Sequence, residues 1–265
     1  SIATSISSKT IQLLIEWATT VFSIGLVLIL ISPPLSLAYD EKALHEFKQQ
    51  KNCIGCDLSS IDLAYIDFPY PYLTWANLLL KDLIGTNLRG SNLSNSDLHH
   101  ARLNMADLRN ANLENSDLRA SELICTNLDN ANLGNANLQE AILWKANLSR
   151  TNLSRANLNN AVIRSGTLRN ANLERADLFK TDLQLTDLSG ANMQYANLNS
   201  AILRGANLRS ANLNYANLHM VNMIATNLEK ASLYRITTTK QDGKVAHFFR
   251  TTFSKANLIE ATLTH

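Results

Sequence analysis

An excess of either charge is missing from this sequence. Its 265 residues carry 24 Lys and Arg against 22 Asp and Glu, a formal net charge of +2, so no polyelectrolyte partner is announced. Glycine is scarce, nine in all, and forms no phosphate-cradling loop. No nucleophile stands at a recognised spacing from a base. The six histidines are scattered. His99 and His100 are adjacent and read as a solvated surface pair, with His219 far along the chain. Cysteine is limited to three residues. In Cys53-Ile54-Gly55-Cys56 the next residue is Asp57, not the His of haem attachment. Two further zinc ligands are absent nearby, and a thioredoxin context is lacking. The reading is therefore no enzyme, no cofactor and no metal site.

What the sequence has is a leucine at every fifth position. From Leu58 to Leu233 this register has 36 positions, of which 32 are Leu and the others Phe68, Ile163, Met193 and Met223. Two residues before each comes a small side chain: between Thr86 and Ala231, 29 of 30 such positions are Ala, Ser, Thr or Gly, with Val221 the exception. Typical quintets begin Ala131-Asn132-Leu133 and Ala146-Asn147-Leu148. A helix repeats at 3.6 residues and a strand at 2. On a helix, leucines five apart would spiral round every face, and the many Asn would compete for its backbone hydrogen bonds. A square coil fits instead, with one quintet per side and four quintets per turn. Leu and the small residue point inward, the other three positions outward, and coils stack at sheet spacing. The Asn before each Leu is expected to form stacked polar ladders.

The A(N/D)LXX pattern over residues 57–235, resuming near 246, closely resembles the pentapeptide repeat family. The resemblance implies an all-β, right-handed quadrilateral β-helix of about ten coils. It implies no single activity, since fold is not function.

The N-terminus differs. No charge occurs between Glu16 and Asp40, and the strongest apolar run is Val21–Ile31. Residues 1–39 read as a signal peptide, with Lys9 upstream and Ser36-Leu37-Ala38 as the cleavage site. The second reading, which the sequence favours slightly less, is an N-terminal hydrophobic helix that anchors the chain in a membrane through residues 11–39, Trp17 and Tyr39 lying at the interfaces. A buried amphipathic helix is the third reading. Residues 40–56 read as a capping helix or linker. Cys53 and Cys56 fall in phase with the inward positions, where an oxidising compartment would join them in a disulfide pinning the entry; free buried thiols and redox chemistry are the alternatives. Cys125 points outward. The solenoid is expected over 57–265, with 236–245 interrupting it as a hairpin signalled by Asp242-Gly243. Phe248 and Phe253 are candidates to plug the far end of the core.

Taking the sequence modulo 20 assigns each quintet to one of four faces. Three are polar. The fourth presents Ile84, Met105, Ile124, Cys125, Ile142, Trp144, Val162, Leu185, Ile202 and Ile224 outward, with Arg164 and Arg204 among them. A contiguous apolar strip with a central Trp marks an interaction surface; β-propensity alone is the plainer explanation. The expected function is a non-catalytic interaction subunit docking a neutral-to-apolar protein partner through this face, with no nucleic acid. The leader, the Cys-x-x-Cys entry and the long repeat resemble exported cyanobacterial pentapeptide proteins of the periplasm or thylakoid lumen, which implies a membrane, photosynthetic complex as partner. The alternatives are a DNA-mimicking topoisomerase inhibitor, which needs an acidic surface, and a small-ligand binder or enzyme, for which a leucine-filled core leaves no pocket.

Overall fold

The computed structural model of the chain describes residues 73–74, 76–238 and 246–261. The leader (1–39), the capping segment (40–56), the Cys53–Cys56 disulfide and the 239–245 part of the expected hairpin lie outside the described residues. No helix among those described is long and apolar enough to cross a membrane.

The described chain winds as stacked four-sided coils. Parallel bridges join each residue before a core leucine to its counterpart one coil later, as in Asn92↔Asn112↔Asn132↔Asn152. We number the faces from their first described quintets: face 1 from Ala76, face 2 from Lys81, face 3 from Thr86 and face 4 from Ser91. Face 1 carries nine rungs from Asn77 to Thr237, so this part of the rod is roughly 38 Å long at a spacing of about 4.8 Å. Inside, the leucines from Leu73 to Leu233 and the alanines two residues before them are buried to within a few per cent. They form one continuous core.

The quintet Ala131–Asn135 shows why five residues suffice. Ala131 N–H closes a turn onto Leu128 O, Asn132 N–H reaches back one coil to Ala111 O, and Leu133 and Asn135 donate forward to Asn152 O and Ser154 O. The remaining N–H, of Gly134, cannot reach a neighbouring coil and donates to Oδ1 of Asn132 at 3.1 Å. Every N–H of the quintet is thereby paired, as interior backbone requires. The Asn before each leucine is thus a structural part: its carboxamide takes the one N–H that coil stacking leaves over. Its Nδ2 continues the ladder between coils, from Asn112 to Asn92 and from Asn132 to Asn112, as expected.

The last residue of each quintet sits at positive φ, for example +57° at Asn95 and Arg150. Such a conformation is uncommon for residues other than glycine. Here it lets each turn close and return the chain to the inward position. Hydroxyls at the small positions are satisfied in two ways, Ser91 Oγ excepted, which has no partner among the described residues. Thr reaches the coil below (Thr126 Oγ1 to Leu103 O, 2.7 Å), whereas Ser bonds within its own turn (Ser96 Oγ to Leu93 O, 2.6 Å).

The interruption near the C-terminus is narrower than the sequence implied. Ile236 and Thr238 are buried in register and Thr237 pairs with Asn217. Asn222 then pairs with His247, one quintet beyond its expected partner. The interruption therefore adds the length of a single quintet, not two. β-branched Ile and Thr fill the inward sites well enough to continue the coil, which a search for Ala and Leu overlooks. Phe248 and Phe253 pack against the end of the core with ring centroids 5.6 Å apart.

Candidate interaction face

Bridges Asp82↔Arg102↔Glu122↔Ile142↔Val162↔Asp182↔Ile202↔Asn222↔His247 define face 2, and every residue of the sequence-predicted strip stands on it. Met105, Cys125, Ile142, Trp144, Arg164 and Leu185 are exposed, and Ile84, Ile124, Val162, Ile202 and Ile224 are half-buried by their neighbours in adjacent coils. Trp144 remains 44 % exposed and Leu185 65 %. Leu185 lies across Gly205 of the next coil, where an added Cβ would sit 2.8 Å from Leu185 Cδ2. The glycine keeps this part of the face flat. Cys125 is a free, exposed thiol. Phe249, 67 % exposed, extends the strip by one more coil. The added quintet shifts it out of the modulo-20 count, so the sequence pattern misses it.

Face 2 breaks the rule, kept by the other faces, that an Asn carboxamide or Asp carboxylate precedes the core residue and accepts the N–H two residues on. On faces 1, 3 and 4 the residue before the core position is Asn or Asp except at Thr167, Ser232, Thr237 and Thr252. Face 2 keeps the rule at Asp82, Asp182 and Asn222 and breaks it at Arg102, Glu122, Ile142, Val162, Ile202 and His247. Ile124 N–H is rescued by Asn104 Oδ1 from the coil below, at 2.9 Å. The N–H groups of Trp144, Arg164 and Arg204 find no acceptor among the described residues. The apolar residues on this face therefore replace a hydrogen bond made almost everywhere else. β-propensity does not explain that, because the other three faces have the same backbone and keep Asn or Asp.

Most arginines of the remaining faces are ion-paired on their own face. On face 3, Arg109 grips Asp107 at 2.5 Å and Arg150 pairs with Asp129. The Arg109 hydrogen bond holds the Asp107 carboxyl below the usual carboxylate range, against desolvation that pushes it up. On face 1, Arg119 does the same for Asp117. There desolvation is the largest single influence and raises the pKa, and the Arg119 hydrogen bonds and charge together outweigh it. On face 4, Tyr195 and Tyr215 stack at 4.8 Å and 8°, Tyr234 meets Tyr215 edge-on, and Arg175 lies over Tyr195. The ring faces are occupied by one another, so this row is a ladder and offers no free stacking platform.

His99 and His100 stack with centroids 4.2 Å apart, and His219 is buried. No group of three or more potential metal ligands occurs among the described residues.

The profile of the family described as pentapeptide repeats matches in eight copies between residues 72 and 229. No curated protein matches the sequence. Among solved structures, HetL, a pentapeptide repeat protein involved in heterocyst differentiation regulation in the cyanobacterium Nostoc, is 28% identical over 86% of this chain and 100% of its own, with a TM-score of 0.48. A trypsin-treated form of QnrB1, a plasmid-mediated fluoroquinolone resistance protein, is 15% identical over 76% of this chain and 90% of its own, with a TM-score of 0.51. A pentapeptide repeat protein of the Arabidopsis thaliana thylakoid lumen is 25% identical over 38% of this chain and 69% of its own, with a TM-score of 0.30.

Proposed function

The chain belongs to the pentapeptide repeat family, whose fold is the right-handed β-helix, and from that premise we propose that it is a non-catalytic interaction subunit docking a protein partner through face 2. One observation carries the reading: Ile142, Val162 and Ile202 stand where the fold otherwise puts Asn or Asp, leaving backbone N–H groups without an acceptor among the described residues beside exposed apolar side chains. A contiguous apolar row on a rod is an interaction surface, and burial stabilises by about 1.5–3 kcal/mol per large side chain. Trp144 at its centre is the anchor type found in interface hot spots. Exposed apolar residues elsewhere, such as Leu80 and Ile259, stand apart from this row.

The compartment we assign is the thylakoid lumen or periplasm, with the chain exported or held by residues 11–39, and a membrane complex as the partner's setting. This rests on the charge-free apolar stretch between Glu16 and Asp40 and on Cys53 and Cys56. DNA mimicry is disfavoured by charge: the described residues hold 18 Lys and Arg against 14 Asp and Glu, the wrong sign for an imitation of a polyanion.

The test is co-purification from membranes with the full chain, comparing Trp144→Asp with Arg109→Asp, each first matched to wild type by circular dichroism. Loss of association in Trp144→Asp alone is expected. Retention there, with loss in Arg109→Asp, would move docking to face 3 and refute the reading.

A further inference from the structure

The charges along face 2 are divided unevenly. In the first three described coils Arg102 lies between Asp82 (2.8 Å) and Glu122 (3.7 Å), so that half is internally neutralised. From Ala141 onward the face carries Lys145, Arg164, Arg204 and Arg250 against Asp182 alone. Asp182 is taken by Arg164 at 2.6 Å. The register explains why Arg204 has no such partner among the described residues. Arg164 finds its carboxylate at the second position of the next quintet on this face, and for Arg204 that position holds Asn222. Lys145 and Arg250 instead lie over the rings of Trp144 and Phe249, at 4.8 and 5.2 Å from the centroids. Of the nine arginines on the polar faces, Arg109, Arg119, Arg150, Arg169, Arg175, Arg209 and Arg235 are ion-paired, and Arg89 and Arg155 have no ion-pair partner among the described residues. What sets this half of face 2 apart is that its surplus cations stand in the exposed apolar row itself, beside Trp144, Ile202 and Phe249.

We propose that this half of face 2 receives one amphipathic helix bearing acidic side chains; the proposal rests on the docking reading above. Three features select that occupant. Its chemistry must supply apolar contact to Ile142, Trp144, Val162 and Leu185, and carboxylates to Lys145, Arg204 and Arg250. The coils carrying the two aromatic–cation pairs are five steps apart, roughly 24 Å at about 4.8 Å per coil, the length of about 16 helical residues at 1.5 Å rise. One flat side of a five-residue square is about as wide as a single helix, on the order of 10 Å. The cations flank apolar side chains on one surface, the pattern complementary to an apolar helix stripe edged by Glu or Asp.

The experiment titrates the full chain into a fluorescently labelled helical peptide of about 16 residues with a leucine face edged by glutamates, following anisotropy. A second peptide has every Glu replaced by Lys, and a third arm uses vesicles with and without anionic lipid. The acidic peptide is expected to bind and the lysine peptide not. The double variant Arg204→Gln/Arg250→Gln should weaken binding roughly fivefold to tenfold. Salt raised from about 50 to about 500 mM should weaken it further, and Arg109→Gln should leave it unchanged. Equal binding of both peptides, abolished by Trp144→Asp, would overturn the acidic assignment and leave the docking face standing. Acidic-peptide binding that survives Trp144→Asp would sink both. Failure of the acidic peptide to bind, or a preference for anionic vesicles over it, would overturn the proposal, the latter assigning the surface to lipid.

Discussion

Ile163 and Gly166 fit each other across one turn of the core. Ile163 is the β-branched residue in a row of leucines, and Gly166 is the glycine in the row of small positions. A Cβ at Gly166 would lie 3.3 Å from Ile163 Cγ2, and 3.0 and 3.1 Å from the carbonyl oxygens of Ala146 and Ile163. The extra methyl of Ile163 thus fills space that an alanine occupies in other coils. Gly166→Ala is expected to destabilise by about 1–3 kcal/mol through overpacking. Ile163→Leu in the same chain should recover at least about 0.5 kcal/mol of that, read as a coupling in a double-mutant cycle of chemical denaturation. Strict additivity would mean that the carbonyl contacts alone enforce the glycine.

The inward assignment is tested at the middle of the rod. Leu148 is fully buried with no charged neighbour in the core cluster. Leu148→Arg puts a cation where nothing can pair it, a cost of several kcal/mol. Loss of soluble, cooperatively melting protein is expected. A variant that melts like wild type would show that this position can reach water.

Acid should weaken the rod through Asp107 and Asp117. Both carboxyls are held below their ordinary range in the folded state. A depressed folded pKa contributes stability that is present above the unfolded value of about 3.9 and is lost as pH falls through the folded one. The melting temperature should therefore decline below about pH 4, and less steeply in Asp107→Asn/Asp117→Asn. Calorimetry from neutral to acid pH reads this directly. An identical decline in the double variant would assign the acid response to other groups.

Much of the architecture is legible in the sequence because a fixed period leaves little choice: once Leu133 and Leu138 both face inward, the chain must turn between them. Face membership follows by counting four quintets at a time, which is how Ile124, Ile142, Trp144 and Val162 come together on paper as in space. Counting fails at Phe249, because the interruption has a length that the pattern does not announce. The reason for Asn132 is not legible either. It becomes visible only when the coil bonds are drawn and Gly134 N–H is left over. The same holds for Arg204, whose lack of a counter-ion depends on what the next coil places opposite it.

The compartment is tested at the cysteines. Cys53 and Cys56 are expected to be oxidised in protein isolated without reductant, with Cys125 alone modified by an alkylating reagent, since it is exposed and free. Mass spectrometry of the alkylated, non-reduced protein distinguishes one label from three. Three labels on folded protein would remove the argument for an oxidising compartment, whatever the leader does.

The sharpest test of face 2 restores the rule it breaks. In Ile142→Asn the new carboxamide stands where Asn137 and Asn147 stand on the adjoining faces, each accepting the N–H two residues on at 3.2 and 3.1 Å. Trp144 N–H would gain the acceptor it lacks. That hydrogen bond is worth about 0.5–1.5 kcal/mol. Against it stands the burial forfeited by Ile142, which is partial because the side chain is 40 % exposed, about 1–2 kcal/mol and so comparable to the hydrogen bond gained. The two terms nearly offset each other, so the folded rod should hold its melting temperature to within a few degrees. Association should fall, because a polar amide replaces an apolar contact beside the Trp144 anchor. Stability kept while binding is lost is the signature of a residue retained for function and not for the fold. Thermal melts and the membrane co-purification assay, run on the same preparation, read the two effects separately. A lower melting temperature with association intact would show that Ile142 serves the sheet and not a partner, and the docking face would lose its main support.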